Sequence, residues 1–168
     1  MPSIVISHIV GTVSLLVVFG IVAASFAINY SILQLQVISY NLQQIADYVS
    51  AETCDLVSLC FMSSEDQFIF KELDLPEKIG SEAYMVSIVL LEDRFEVVVN
   101  STVHLSVFGE SPLPWSRDGN IRLYNGTNPG ITGIAPGESI QSISKGTAVV
   151  WCLKDGERIT FGLGERSD

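Results

Sequence analysis

Hydrophobic positions follow two rhythms along this chain. From Ile4 to Ile28 runs IVISHIVGTVSLLVVFGIVAASFAI, in which apolar side chains are interrupted only by small or weakly polar residues and His8. As a helix rising ~1.5 Å per residue this segment reaches ~37 Å, more than the ~30 Å of a bilayer's hydrocarbon core. The next proline after Pro2 is Pro76, and the next glycine after Gly20 is Gly80, so neither strong helix breaker interrupts residues 21–75. The pattern predicts one continuous helix over residues 1–60, membrane-type at about 4–28 and amphipathic at about 31–58. In the second half Leu35, Ile38, Leu42, Ile45 and Val49 recur at three- and four-residue intervals and share one stripe. Leu33, Val37 and Tyr40 fall on roughly the opposite side.

A helix apolar on two faces calls for more than one neighbour. Two arrangements meet that demand. In one, a face packs on the chain's own C-terminal domain and the other on lipid or a single partner. In the other, helices pack against each other in a multi-subunit assembly through Gly20, Ala24, Leu35, Ile38, Leu42, Ile45 and Val49. Small residues at Gly20, Ala23, Ala24 and Ala27 allow close backbone approach in such packing.

From Gln67 onward the rhythm changes to short alternating or wholly apolar runs separated by turns, the pattern of an antiparallel sandwich or barrel. The expected fold is therefore α+β: a long N-terminal apolar helix followed by an antiparallel β-sandwich over residues 66–168, with at least six strands. Residues 83–91 and 94–100 read as strands joined at Glu92-Asp93, with Phe95, Val97 and Val99 inward. Residues 102–108 alternate, which predicts a strand with Val103, Leu105 and Val107 inward and His104 outward. Asp155-Gly156 lies between two apolar runs, a strong hairpin signal. Residues 109–120 and 125–138, rich in Pro, Gly and Asn, read as two long loops. Trp115, in the first, is expected to cover one end of the sandwich or to anchor a neighbouring subunit.

Composition sharpens the picture. Hydrophobic residues make up 48% of the 168 residues and charged residues 17%, which excludes a disordered chain and disfavours an ordinary cytosolic enzyme. The net charge of -10 supplies no electrostatic footprint for phosphate backbones, so nucleic acid is not an expected partner. No charged side chain precedes Asp47, and the first basic residue is Lys71. A secretory signal peptide would need a basic n-region and an apolar core of roughly 7–15 residues, and neither is present. The uncharged N-terminal flank cannot orient the helix by the positive-inside rule. Asn100-Ser101-Thr102 and Asn125-Gly126-Thr127 are candidate N-glycosylation sequons and favour an external domain. Asn29-Tyr30-Ser31 lies too near the membrane edge to be used.

Chemistry-bearing residues are sparse. His8 lies in the apolar segment and His104 stands apart, so no nucleophile and base pair is evident and no enzyme is expected. Glu65-Asp66, Glu72 with Asp74, and Glu92-Asp93 lack the spacing of a calcium loop and read as solvated surface. Gly162 and Gly164 do not continue into a phosphate-binding pattern. No metal or cofactor is expected. Cys54, Cys60 and Cys152 allow one intrachain disulfide. A Cys60–Cys152 bridge would staple the helix end to the β domain, and buried free thiols are the other reading.

The charge-free start Pro2-Ser3-Ile4-Val5-Ile6-Ser7-His8, running unbroken into an amphipathic half and then a turn-rich β domain, resembles the archaeal type IV pilin and archaellin superfamily. Ile6-Ser7-His8 before the apolar run looks somewhat like the start of the archaellar accessory protein G. Two features depart from the pattern: no basic leader ending in Lys or Arg plus Gly precedes the helix, implying a mature or uncleaved chain, and position 5 is Val where bacterial pilins have glutamate. The resemblance implies a polymerising subunit of a cell-surface filament serving adhesion or motility. Its helix would be held in the membrane before assembly, and its partners would be further copies of itself and other pilus, archaellum or surface-layer proteins. The second implied role is a membrane-anchored archaellar accessory protein whose β domain binds the surface layer.

Overall fold

A computed structural model describes residues 2–117, 119–126 and 131–166, with the side chains of residues 2–7 outside the description. One helix, α1 (Pro2–Met62), is followed by nine described strands: β1 (Gln67–Glu72), β2 (Tyr84–Leu91), β3 (Arg94–Ser101), β4 (Phe108–Ser116), β5 (Ile121–Leu123), β6 (Ile134–Gly137), β7 (Ser139–Gln141), β8 (Thr147–Asp155) and β9 (Arg158–Arg166). Proline at the first helical position gives up only an N–H that has no helical acceptor there. The chain divides into two compact units, Met1–Val37 and Ile38–Asp168, with the boundary inside α1.

In the second unit the strands form two sheets. The first has the order β1-β8-β9-β5, with β6 also pairing β9, and the second the order β4-β3-β2-β7. All pairings are antiparallel except β5 with β9, which is parallel. The sheets do not close into a barrel; β5 and β6 divide one edge of β9 between them, and β7 covers only the first half of β2.

The core lies between these sheets and one face of α1. Leu42, Ile45, Ala46, Val49, Leu56, Val57 and Cys60 are buried together with Val86 and Ile88 of β2, Phe95, Val97 and Val99 of β3, Val150 and Cys152 of β8, and Ile159, Phe161 and Leu163 of β9. Across the gap the Phe95 and Phe161 rings meet edge to face at 5.5 Å. A second cluster, Ile134, Val149 and Trp151, occupies the other face of the first sheet. Alternate residues of β8 thus serve two cores, which explains its unbroken apolar run. Gly162 and Gly164 make room for the Trp151 indole: a Cβ on Gly162 would lie 3.0 Å from Trp151 Cζ2. The indole Nε1 donates to the Leu163 carbonyl at 2.8 Å.

The helix approaches β4 most closely at Gly109, where an added Cβ would lie 2.5 Å from the backbone of Leu42 and Gln43. Gln43 completes the join by donating its Nε2 to the Glu110 carbonyl at 2.7 Å and accepting from the Glu110 N–H at 3.2 Å. A side-chain amide thus satisfies the outer edge of β4 much as a further strand would. Lys71 of β1 pairs with Glu52 of α1, and Lys154 donates to the Ser63 carbonyl just past the helix end.

Several sequence expectations change here. Residues 102–107 are a loop, and Val103 and Leu105 are exposed, because β3 turns at the buried Ser101 hydroxyl, which accepts from the Val103 and His104 N–H groups. Much of the expected loop 109–120 is strand β4, whose edge position tolerates Pro112 and Pro114. Trp115 is half-buried and packs against the core of the domain, its ring 5.6 Å from Phe161. The β2–β3 turn falls at Glu92-Asp93 as read, with Glu92 at φ 55. The β8–β9 turn is centred one residue later than expected, on Gly156 (φ 60) and Glu157.

Gly109→Ala has no flexible neighbour to displace and is expected to destabilise the domain by about 1–3 kcal/mol, read as a lower urea midpoint. Tyr84 gives a pH signature. Its hydroxyl donates to the Pro76 carbonyl at 2.5 Å, and burial pushes the phenol up from 10.0 to about 12. The folded chain holds this proton more tightly than the unfolded one, so the contribution is complete below pH 10 and is lost as pH rises toward 12. Its size is about 2–3 kcal/mol. Urea midpoints should fall through that window in the parent, and the fall should be smaller by that amount in Tyr84→Phe.

Candidate assembly and membrane surface

Every residue from His8 to Val37 is exposed, and none is charged. Ile9, Val13, Leu16, Phe19, Val22 and Phe26 present large apolar side chains to the outside. The most apolar 18-residue window has a mean hydropathy of 2.4, and no part of it is buried. Four polar side chains in this stretch turn inward on their own backbone. Thr12 donates to the His8 carbonyl, Ser25 to Ile21, Asn29 to Ser25 and Ser31 to Ala27, each spanning four residues. That arrangement removes free hydrogen-bonding groups from a surface facing lipid or another helix. By length and composition this helix can span a membrane.

The seven helix positions expected to pack between subunits divide. Gly20, Ala24 and Leu35 are exposed, and a Cβ on Gly20 would meet nothing within 4 Å. Ile38 is half-buried, whereas Leu42, Ile45 and Val49 are buried against the chain's own strands. The lower part of the stripe is therefore engaged by the domain and is not available to a neighbouring helix. The periodicity was legible in the sequence; the surface it would meet was not, because a stripe looks the same whether its partner is internal or external. The buried face also continues beyond the expected residues through Thr53, Leu56, Val57 and Cys60. Leu59, Phe61 and Met62 remain exposed on the last turn.

Asn100 is half-buried at the end of β3, opposite Phe108 of β4. Asn125 is exposed, while the Thr127 of its sequon lies outside the described residues. Cys60 and Cys152 are both buried and Cys54 is half-buried, all three as free thiols.

One polar cluster resembles a catalytic arrangement in composition but not in geometry. Ser101 Oγ donates to Glu82 Oε2 at 2.8 Å, and His104 Nε2 lies 3.2 Å from Glu82 Oε1. The carboxylate stands between hydroxyl and imidazole, so the serine proton is directed to Glu82 and not to the histidine, the reverse of the order that activates a serine nucleophile. What the cluster does is pin the 102–107 loop. Among the described residues no group of three or more His, Cys, Asp or Glu side chains could hold a metal ion. Asp66 accepts from the Gly156 N–H at 2.7 Å and Glu72 pairs with Arg166 at 2.6 Å, so two of the acidic residues singled out in the sequence serve as local ties. The cleft of about 380 Å³ beside β2, lined by Ser87, Leu90, Tyr124 and Glu138 among others, contains no histidine or cysteine.

A single membrane-length apolar helix leading into two β-sheets defines the class of protein, an α+β layout consistent with that of pilin-like proteins. No protein-family model matches the chain, and neither a curated protein nor a solved structure matches it.

Leu42→Asp separates the two uses of the stripe. Because Leu42 is wholly buried in the domain, its replacement by a carboxylate should cost upward of about 4 kcal/mol and unfold the sheets themselves. Circular dichroism and tryptophan emission should show that loss in the isolated chain. A variant with native spectra would mean that Leu42 faces outward and is free for assembly.

Proposed function

We propose that this protein is a structural subunit of a type IV pilus-like or archaellum-like filament, non-enzymatic, held in the membrane by α1 before assembly and polymerising through that helix. The observation that carries the reading is the unbroken exposed and uncharged surface from His8 to Val37. Burying a large apolar side chain is worth roughly 1.5–3 kcal/mol, so a surface of this size requires lipid, other helices, or each in turn. Apolarity around the whole circumference suits both environments, and small residues at Gly20 and Ala24 suit close helix contact in the assembled one. The acidic β domain would lie outside the cell, where Asn125 is the better glycan acceptor of the two sequon asparagines because its side chain is exposed.

The second reading is a membrane-anchored accessory protein whose β domain binds the surface layer. It is favoured by the engagement of Leu42, Ile45 and Val49 within the domain, which leaves the apolar segment ahead of them, long enough for one membrane span, as the free part of the helix.

Shearing native cells distinguishes the two. A filament subunit pellets with long surface fibres, whereas an anchored protein stays with membranes until detergent is added. Ala24→Leu adds apolar area and keeps helix propensity, so membrane insertion should persist. In a filament the larger side chain obstructs close packing, and fibre yield should fall at least about tenfold, as expected for 1–3 kcal/mol of overpacking repeated along the assembly. Equal membrane retention of parent and variant, with no fibres from either, favours the anchored protein.

A further inference from the structure

The buried stripe of α1 ends at Cys60, in the helix's last turn. On the facing sheet, Cys152 occupies the middle of β8 and points the same way as Val150, into the core shared with the helix. Both thiols have no exposed surface, and they lie in the same core cluster within reach of each other. A cysteine side chain is one carbon long, so two of them meet only where their backbones come close, as a disulfide also requires. The third cysteine is differently placed. Cys54 is half-buried, in contrast to the fully buried Cys60 on the same helix.

We propose that Cys60 and Cys152 form an intrachain disulfide that fastens the end of α1 to the middle of β8. The oxidant is a disulfide, either a small-molecule disulfide or the active-site disulfide of a thiol oxidoreductase. One cysteine thiolate attacks it, forming a mixed disulfide and releasing one oxidant thiol. The second thiolate then attacks the mixed bond, closing Cys60–Cys152 and releasing the other. Two protons and two electrons leave the chain, and the oxidant's sulfur–sulfur bond becomes two thiols. Burial pushes the Cys152 thiol well above its ordinary value, so the folded reduced domain offers little thiolate. The bond therefore forms as the helix docks during folding, and the packing that follows shields it from reductants. An external domain supplies the oxidising surroundings such a bond needs.

The test uses the full chain in detergent, refolded with oxidised and reduced glutathione, then unfolded and alkylated without further reductant. Cleavage on the N-terminal side of Asp55 places Cys54 and Cys60 in different peptides. The expected result is alkylation at Cys54 alone, a Cys60 peptide linked to a Cys152 peptide, and a chain lighter by two hydrogen atoms before alkylation. Adding reductant to the unfolding experiment should lower the midpoint by roughly 10 °C in the parent and in Cys54→Ser alike. Alkylation of all three cysteines, or a linked peptide containing Cys54, would overturn the proposal. The mapping reads the parent protein, so it does not depend on whether Cys60→Ser or Cys152→Ala folds.

Discussion

The β domain depends on a surface that no strand supplies. Between its two sheets the core is completed by one face of α1, from Leu42 through Ile45, Ala46, Val49, Leu56 and Val57 to Cys60. Buried apolar residues at three- and four-residue intervals make a stripe narrow enough to lie across both sheets while polar positions such as Asp47 and Asp55 stay in water. Without that stripe, the inward faces of β2, β3, β8 and β9 would lose their third wall. Gly109 makes the fit possible by lacking a Cβ where the backbones meet, and Gln43 makes it specific by bonding both the N–H and the carbonyl of Glu110 in β4.

The same helix belongs to two environments. From His8 to Val37 it is uncharged and exposed, and four of its hydroxyl and amide side chains are folded back onto helix carbonyls. Its second half carries the first charges of the chain and a single buried face. No proline or glycine interrupts residues 21–75, and α1 is unbroken from Pro2 to Met62.

The polar groups of the β domain act as fasteners. Ser101, Glu82 and His104 hold the 102–107 loop, Asp66 holds the β8–β9 turn, and Tyr84 holds the segment around Pro76. Each ties a loop to a strand or to a second loop, and the hydroxyl–carboxylate–imidazole order in the first of them argues for structural use.

Local pattern was enough to determine the long helix, the β2–β3 hairpin, the pairing of β8 with β9 and the inward positions of β3, since each depends on periodicity or turn chemistry within a few residues. Tertiary structure decided everything that depends on what a residue faces. The 102–108 alternation suits a strand, yet the chain turns at Ser101 because that buried hydroxyl takes up two N–H groups a ladder would have used. Pro112 and Pro114 suit a loop, yet they lie in β4 because an edge strand leaves half its N–H groups without a partner strand. Gly162 and Gly164 have no meaning until Trp151 is seen against them. The stripe at Leu35, Ile38, Leu42, Ile45 and Val49 is the clearest case: periodicity fixes which residues share a face, but burial is a property of two surfaces, and the second surface is assembled from strands far along the chain.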